Sequence, residues 1–251
     1  MRLPDFLVIG AGRCGTTTVY SWLVEHPEIC VRPEKRPEPS FFLKSENYSR
    51  GLENYAKLFS GCNESQVAGE ASTSYIYHPV VAPRIAKDLP SVKLIAMLRN
   101  PIDRAWSGYW HTRKHDLEPL SFEKAIEAEP RRLAFPESQY WDEIRPHAYL
   151  DRSRYVQQLK RFQSYRDQGK LFVGLFEDLV DTPKSLASEI FRFLEVDSSF
   201  YPPSLEARLN VSVPANKNMN EDTRRHLNSL FEDEISAVEA WLQRDLSSWR
   251  K

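Results

Sequence analysis

Leu7-Val8-Ile9-Gly10-Ala11-Gly12-Arg13-Cys14-Gly15-Thr16-Thr17-Thr18 runs from an apolar strand through a glycine-rich turn into a helix that opens on three hydroxyls. A strand-to-helix turn of this kind aims unpaired backbone N–H groups and the positive end of the helix dipole at one point, where an anion is stabilised. The stretch therefore predicts a cradle for a phosphorylated ligand. Two nucleotide motifs compete for it. Gly10, Gly12 and Gly15 spell G-x-G-x-x-G, the dinucleotide fingerprint, whereas Gly10 to Thr17 reads as a Walker A loop with Thr16 in place of its lysine. A dinucleotide fold expects an acidic residue closing a second strand about 20 residues on. Here that strand is the short Ile29-Cys30-Val31, with Glu34 beyond it. A Walker kinase needs its lysine on the transferred phosphate, and the cation of this loop, Arg13, comes three residues too early.

Outward from this turn, strand-like runs at Phe6–Ile9, Val67–Gly69, Val92–Met97 and Leu171–Leu175 alternate with helical patterns at Thr16–Glu25, Val80–Leu89, Ile102–Lys114 and Lys184–Leu194. Such alternation predicts an α/β fold, a central parallel sheet flanked by helices with a P-loop-like nucleotide-binding turn. An amphipathic helix is expected from Asp222 to Leu242. A chain of 251 residues, 41% of them hydrophobic, can bury roughly 70–75% of its unfolded surface, so a single domain over residues 1–251 is expected. Residues 117–149 turn rich in charge, proline and aromatics and read as an excursion from the sheet, an acceptor-side wall offering Arg131, Arg132, Tyr140, Trp141, Arg145 and His147. Residues 196–220, with Pro202, Pro203 and Pro214, read as an irregular loop closing the donor site.

The 34 lysines and arginines against 35 acids leave a net charge of −1, which gives no global attraction to nucleic acid or anionic membrane. No apolar run approaches the ~18 residues of a membrane span, and no signal-like apolar core precedes the first strand. A soluble, cytoplasmic protein is the expectation. The three cysteines, Cys14, Cys30 and Cys62, are odd in number and lack metal-finger spacing, which predicts neither a disulfide framework nor a zinc site. No other metal site is expected, and nothing in the sequence specifies an oligomeric state.

A second strand-to-helix junction, Lys93 to His111, decides between the nucleotide readings. Arg99 leaves the carboxyl end of the strand, where ligands bind open α/β sheets, and Ser107 lies about two turns into the next helix. Together they suit a second phosphate. One cradle for a 5′-phosphate group and an Arg/Ser pair for a 3′-phosphate is what 3′-phosphoadenosine 5′-phosphosulfate (PAPS) requires. On these segments the chain resembles PAPS-dependent sulfotransferases, most closely the sulfotransferase domains that modify heparan sulfate and their bacterial relatives.

Gly10 to Thr17 is similar to that family's 5′-phosphosulfate loop, in which a lysine usually occupies the position of Arg13, and Leu98-Arg99-Asn100-Pro101 with Ser107 is similar to its 3′-phosphate motif. Glu38-Pro39-Ser40-Phe41-Phe42 resembles the acid-x-x-Phe-Phe segment whose glutamate serves as catalytic base. Gly69 to Tyr75, Phe176 to Leu179 and Phe191 to Val196 resemble further core segments. The resemblance implies a sulfotransferase fold, PAPS as donor, adenosine 3′,5′-bisphosphate (PAP) as product, and a hydroxyl or amine of a saccharide or small metabolite as acceptor. It implies that Gly12, Arg13, Cys14, Gly15, Thr16, Thr17 and Thr18 hold the 5′-phosphosulfate, with Arg13 stabilising charge on the departing oxygen. Arg99 and Ser107 take the 3′-phosphate, Glu38 acts as base, and His111, four residues beyond Ser107, assists at the sulfuryl group. Two departures stand out. Ala71 replaces a lysine of several glycosaminoglycan enzymes, and their cysteine-bridged basic loop is missing, with Lys217 standing in for its lysine. The rival readings are a nicotinamide-dependent oxidoreductase using the G-x-G-x-x-G turn and a non-catalytic nucleotide-binding protein.

Overall fold

Phe6–Gly10, whose residues are buried throughout, is the centre of a five-stranded parallel sheet. The computed structural model describes residues 1–32, 38–136, 145–205, 207, 213–214 and 217–250. The chain divides into two units, Met1–Leu98 with Arg161–Leu209, and Arg99–Lys160 with Asn210–Lys251. The first unit begins with β1 (Phe6–Gly10), α1 (Thr16–Glu25), β2 (Ile29–Val31), α2 (Ser45–Ser49), α3 (Gly51–Ala56), β3 (Val67–Ala71), α4 (Val81–Asp88) and β4 (Lys93–Leu98). The second contributes α5 (Pro101–Lys114), α6 (Phe122–Ala134) and α7 (Tyr155–Lys160). The first resumes with α8 (Gln163–Asp167), β5 (Leu171–Leu175), α9 (Phe176–Asp181) and α10 (Pro183–Leu194), and the second with α11 (Glu221–Leu242).

The strand order is β2-β3-β1-β4-β5. Phe6 pairs with Gly69 on one side and Lys93 on the other, and Leu94 pairs with Leu171. Strands buried on both faces read as continuous apolar runs, which is why Phe-Leu-Val-Ile and Leu-Ile-Ala-Met-Leu are strands without alternation. The crossover through α1 runs outward from β1 to the edge strand β2, and the crossover through α4 runs the other way, from β3 past β1 to β4. Right-handed connections in opposite directions put those helices on opposite faces of the sheet. In a dinucleotide-binding sheet the second strand lies beside the first; here β2 is at the edge and β3 takes that place. Glu34, the acid that reading needed, lies outside the described residues.

The expectation of no disulfide is corrected: Cys30 and Cys62 are bonded, with their Cα atoms 5.6 Å apart. Cys30 sits in β2 opposite Ala68 of β3, and Cys62 lies in the turn just before β3, where its N–H donates to the Phe59 carbonyl. A separation of 32 residues carries no spacing signal, and the odd count reflects Cys14, which is buried elsewhere.

In the second unit the described residues contain no strand. Ser121 caps α6 by accepting from the Lys124 N–H at 3.4 Å. Arg132 from that helix donates to both carboxylate oxygens of the buried Glu118, at 2.5 and 3.1 Å, and the Tyr149 hydroxyl donates to the same group at 2.8 Å. These charge-assisted bonds hold Glu118 below its usual carboxylate range against the opposing effect of burial, the largest single influence on it. Arg132, expected on the acceptor wall, is thus a structural tie, and His147 Nε2 lies 2.9 Å from the Leu117 carbonyl. Arg131 is exposed, and Tyr140 and Trp141 fall outside the described residues. No described helix is long and apolar enough to cross a membrane.

Candidate active site

Glycine is required at both ends of the turn after β1. Gly10 has φ 146°, and a Cβ there would lie 2.4 Å from Ile76 Cγ2 and 2.7 Å from the Thr73 carbonyl oxygen. Gly15 has φ 84°, N-caps α1, and would bring a Cβ within 2.9 Å of Leu179 Cδ1. The turn therefore packs against two other segments of the resemblance, Gly69–Tyr75 and Phe176–Leu179. Its first N–H, from Ala11, donates to the Met97 carbonyl of β4 at 2.8 Å. α1 opens with no side-chain cap and no acidic residue in its first turn, so no side chain of its own turn offsets the positive end of its dipole.

Within this cradle, Cys14 is buried and its N–H closes the turn on the Ala11 carbonyl at 3.2 Å, while the Thr18 N–H donates to Gly15 at 3.0 Å. Thr16 and Thr18 are buried. Gly12, Arg13, Gly15 and Thr17 keep part of their surface exposed, and Arg13 holds a left-handed φ of 75°.

Glu38 belongs to the same unit as the cradle and is brought to it by Thr73. The Thr73 N–H donates to Glu38 Oε2 and the Thr73 hydroxyl to Glu38 Oε1, both at 2.9 Å. That hydroxyl lies 3.7 Å from where a Cβ at Gly12 would be. One threonine thus binds the carboxylate and lies beside the turn. Just beyond, Phe41 and Phe42 are buried, Phe41 stacked on Tyr55 with centroids 4.2 Å apart, and the Arg84 guanidinium donates to the Phe42 carbonyl at 2.9 Å. Two aromatic side chains removed from water fix the chain that carries Glu38.

Beneath it, at the end of β3, Glu70 is fully buried. Desolvation raises its carboxyl from 4.5 to about 7, opposed by hydrogen bonds from Ser72, Tyr75 and Tyr55 and reinforced by the charge of Glu38. The native state therefore binds a proton more tightly than the unfolded chain. The stability so gained is fully present below about pH 4.5 and lost as the pH rises to about 7. Glu70→Gln has no such ionisation. Its stability relative to wild type should rise by up to about 3 kcal/mol between pH 4.5 and 8, measured by urea unfolding at each pH; a constant difference across that range would contradict the raised value.

The second unit holds the other expected residues. Arg99 is half-buried and its carbonyl accepts from the Tyr155 hydroxyl at 3.0 Å. Asn100 caps α5 by accepting from the Ile102 N–H at 2.9 Å, and its amide donates to the Trp249 carbonyl at 2.9 Å. This cap fixes the start of the helix that carries Ser107, which is buried, and His111, half-buried one turn further on with its ring 4.5 Å from that of His115. Asp103, whose spacing invites an ion pair with Arg99, is bonded by Arg224 of α11 at 2.5 Å. Lys217 is exposed, its N–H donating to the Pro214 carbonyl. Among the described residues no group of three or more His, Cys, Asp or Glu side chains could hold a metal ion. Sequence reasoning did not single out Thr73, which holds Glu38, or the buried Glu70; their signal was the polar run Glu70-Ala71-Ser72-Thr73-Ser74 placed directly at a strand's carboxyl end.

Residues 3–239 match the family model of the sulfotransferase domain. Over 99% of its length the chain is 30% identical to the human bifunctional heparan sulfate N-deacetylase/N-sulfotransferase 3 and spans 31% of that protein. A sulfotransferase from Alicyclobacillus acidocaldarius superposes over 100% of both chains with a TM-score of 0.84 at 28% identity. A mouse sulfotransferase complexed with PAP shares the fold at 14% identity, with a TM-score of 0.53 over 94% of this chain and 86% of its own.

Proposed function

The chain belongs to the sulfotransferase family, and we propose that it transfers a sulfuryl group from PAPS to a hydroxyl or amine of a saccharide or small metabolite. The observation that carries this reading is the Glu38 carboxylate held by Thr73 against the glycine turn. In the transfer, the acceptor oxygen or nitrogen attacks sulfur in line with the bond to the 5′-phosphate. That sulfur–oxygen bond breaks, its electron pair stays on the phosphate, and PAP leaves. The acceptor proton passes to Glu38. Such a reaction asks for positioning, a base and stabilisation of charge on the leaving oxygen.

Backbone N–H groups of the turn, with the Thr16 and Thr17 hydroxyls, bind the 5′-phosphosulfate, and Cys14 and Thr18 support them from the buried side. Arg13 stabilises the departing oxygen as a fixed cation, since a guanidinium stays charged near neutral pH. Arg99 and Ser107 bind the 3′-phosphate, His111 assists at the sulfuryl group, and Lys217 supplies a further cation. The edge position of β2 speaks against the oxidoreductase reading.

The test is transfer of labelled sulfur from PAPS to an amine acceptor, de-N-sulfated heparan sulfate, and to an aryl hydroxyl, 4-nitrophenol. Label should enter one of them with one PAP formed per sulfate moved; PAP-free turnover of either acceptor with NAD would replace this reading. Activity should also survive EDTA, because the turn and Arg13 carry the leaving-group charge. An absolute metal requirement that persists with intact donor would contradict that mechanism.

A further inference from the structure

Two hydroxyls join the base-bearing loop to the buried carboxyl at the end of β3. The Ser40 N–H donates to Ser72 Oγ at 2.9 Å, and the Ser72 hydroxyl donates to Glu70 Oε2 at 2.8 Å. The Phe42 N–H donates to the Tyr75 hydroxyl at 3.2 Å, and that hydroxyl is itself hydrogen-bonded to the Glu70 side chain. Tyr55 donates to Glu70 Oε1 at 3.1 Å. Burial raises both tyrosines well above their ordinary value, so both remain donors at working pH.

A hydroxyl has one proton. Whichever way it points decides whether its oxygen is left to accept a backbone N–H. A carboxylate is an acceptor on both oxygens, so it draws the Ser72 and Tyr75 protons to itself and leaves their lone pairs for Ser40 and Phe42. Those two N–H groups flank Phe41 and follow Glu38 by two and four residues. On the other side, Thr73 fixes the Glu38 carboxylate directly. Three neighbouring positions of one segment, Ser72, Thr73 and Tyr75, therefore hold the loop, and Glu70 sets the polarity of two of them.

We propose that Glu70 is a positioning residue for Glu38, acting through the Ser72 and Tyr75 hydroxyls that hold the backbone of Ser40 and Phe42. It touches no reacting atom. The inference rests on the reading of Glu38 as base. It also accounts for a fully buried acid in this place, since a carboxyl that supplied packing alone would be replaced without loss by an apolar side chain of its size.

Glu70→Gln keeps the shape but exchanges one acceptor for a donor, so where its NH₂ faces Ser72 or Tyr75 that hydroxyl turns its proton away from position 70 and its hold on the backbone N–H weakens. At about pH 8, where Glu70 is ionised, the rate of PAP release from PAPS should fall at least about tenfold, as expected when a catalytic group is displaced by a fraction of an ångström. It is measured with de-N-sulfated heparan sulfate present and again with water as the acceptor. Affinity for PAP, read by calorimetry, should stay unchanged, and Ser72→Ala, which cuts the link to Ser40 while leaving Glu70 in place, should act in the same direction. In a Glu38→Gln background the same Glu70→Gln change should cost less than about twofold, because residues acting through one another are not additive. An equal loss in both backgrounds would make Glu70 a structural residue only and overturn the proposal, as would wild-type rates in both Glu70→Gln and Ser72→Ala. Should Glu70→Gln fail to bind PAP, Ser72→Ala alone is carried through the cycle and decides by the same comparison. A wild-type rate for Glu38→Gln alone would instead overturn the base reading, and the positioning role with it.

Discussion

Glu38→Gln should lower kcat at least ~100-fold, the lower end of what a well-placed general base contributes, while affinity for PAP remains at the wild-type level. Both donors of Thr73 reach the carboxylate, the N–H on Oε2 and the hydroxyl on Oε1. A carboxamide can keep that arrangement, with its oxygen on the Thr73 N–H and its NH₂ donating to a Thr73 hydroxyl that has turned to accept. Phe41 and Phe42 remain buried and the loop stays where it is. Only the basic lone pair is lost. Turnover and donor binding should therefore separate, which comparison of kcat at saturating acceptor with calorimetry on PAP would measure. If the glutamine variant turns over at the wild-type rate across the pH range, Glu38 is a tethered loop carboxylate and His111 becomes the base to test.

Arg99→Ala should weaken PAP roughly 10- to 150-fold, the equivalent of about 1.5–3 kcal/mol for a charge-assisted phosphate contact. Adenosine 5′-phosphate, which lacks the 3′ group, should be affected far less. The substitution is structurally mild for two reasons. The Tyr155 hydroxyl bonds the Arg99 carbonyl, which alanine retains, and Asp103 keeps its Arg224 partner in the variant. Ser107→Ala should act in the same direction but more weakly, since a neutral hydroxyl contributes about 0.5–1.5 kcal/mol. Equal losses for the two nucleotides would remove Arg99 from the 3′-phosphate site.

The elements of the sheet were legible because buried parallel strands are apolar on both faces: Phe6–Gly10, Lys93–Leu98 and Leu171–Leu175 stand out from their helical surroundings. The order of those strands was not, because hydrophobic period says what is buried and not which strand is its neighbour. The Cys30–Cys62 bond is lost to reading for the same reason, since it depends on where the edge strand β2 lies. That Glu38 sits on a fixed loop was legible through the aromatic pair that follows it, a feature that a solvated charge run does not need. Thr73 and Glu70 were hidden in a polar run that reads as a surface turn; only the three-dimensional path puts Glu70 out of reach of water and Thr73 between Gly12 and Glu38. The Glu118–Arg132 pair is separated by 14 residues, outside helical spacing, so Arg132 read as an available cation although it is already held.

A single calorimetric titration tests the donor assignment most directly, because it needs no knowledge of the acceptor. PAP, adenosine 5′-phosphate and NAD are each titrated into the full chain without added metal. PAP should bind saturably and more tightly than adenosine 5′-phosphate, with NAD giving no heat of binding; saturable binding of NAD with none of PAP would contradict the assignment of this site to a PAPS-dependent sulfotransferase.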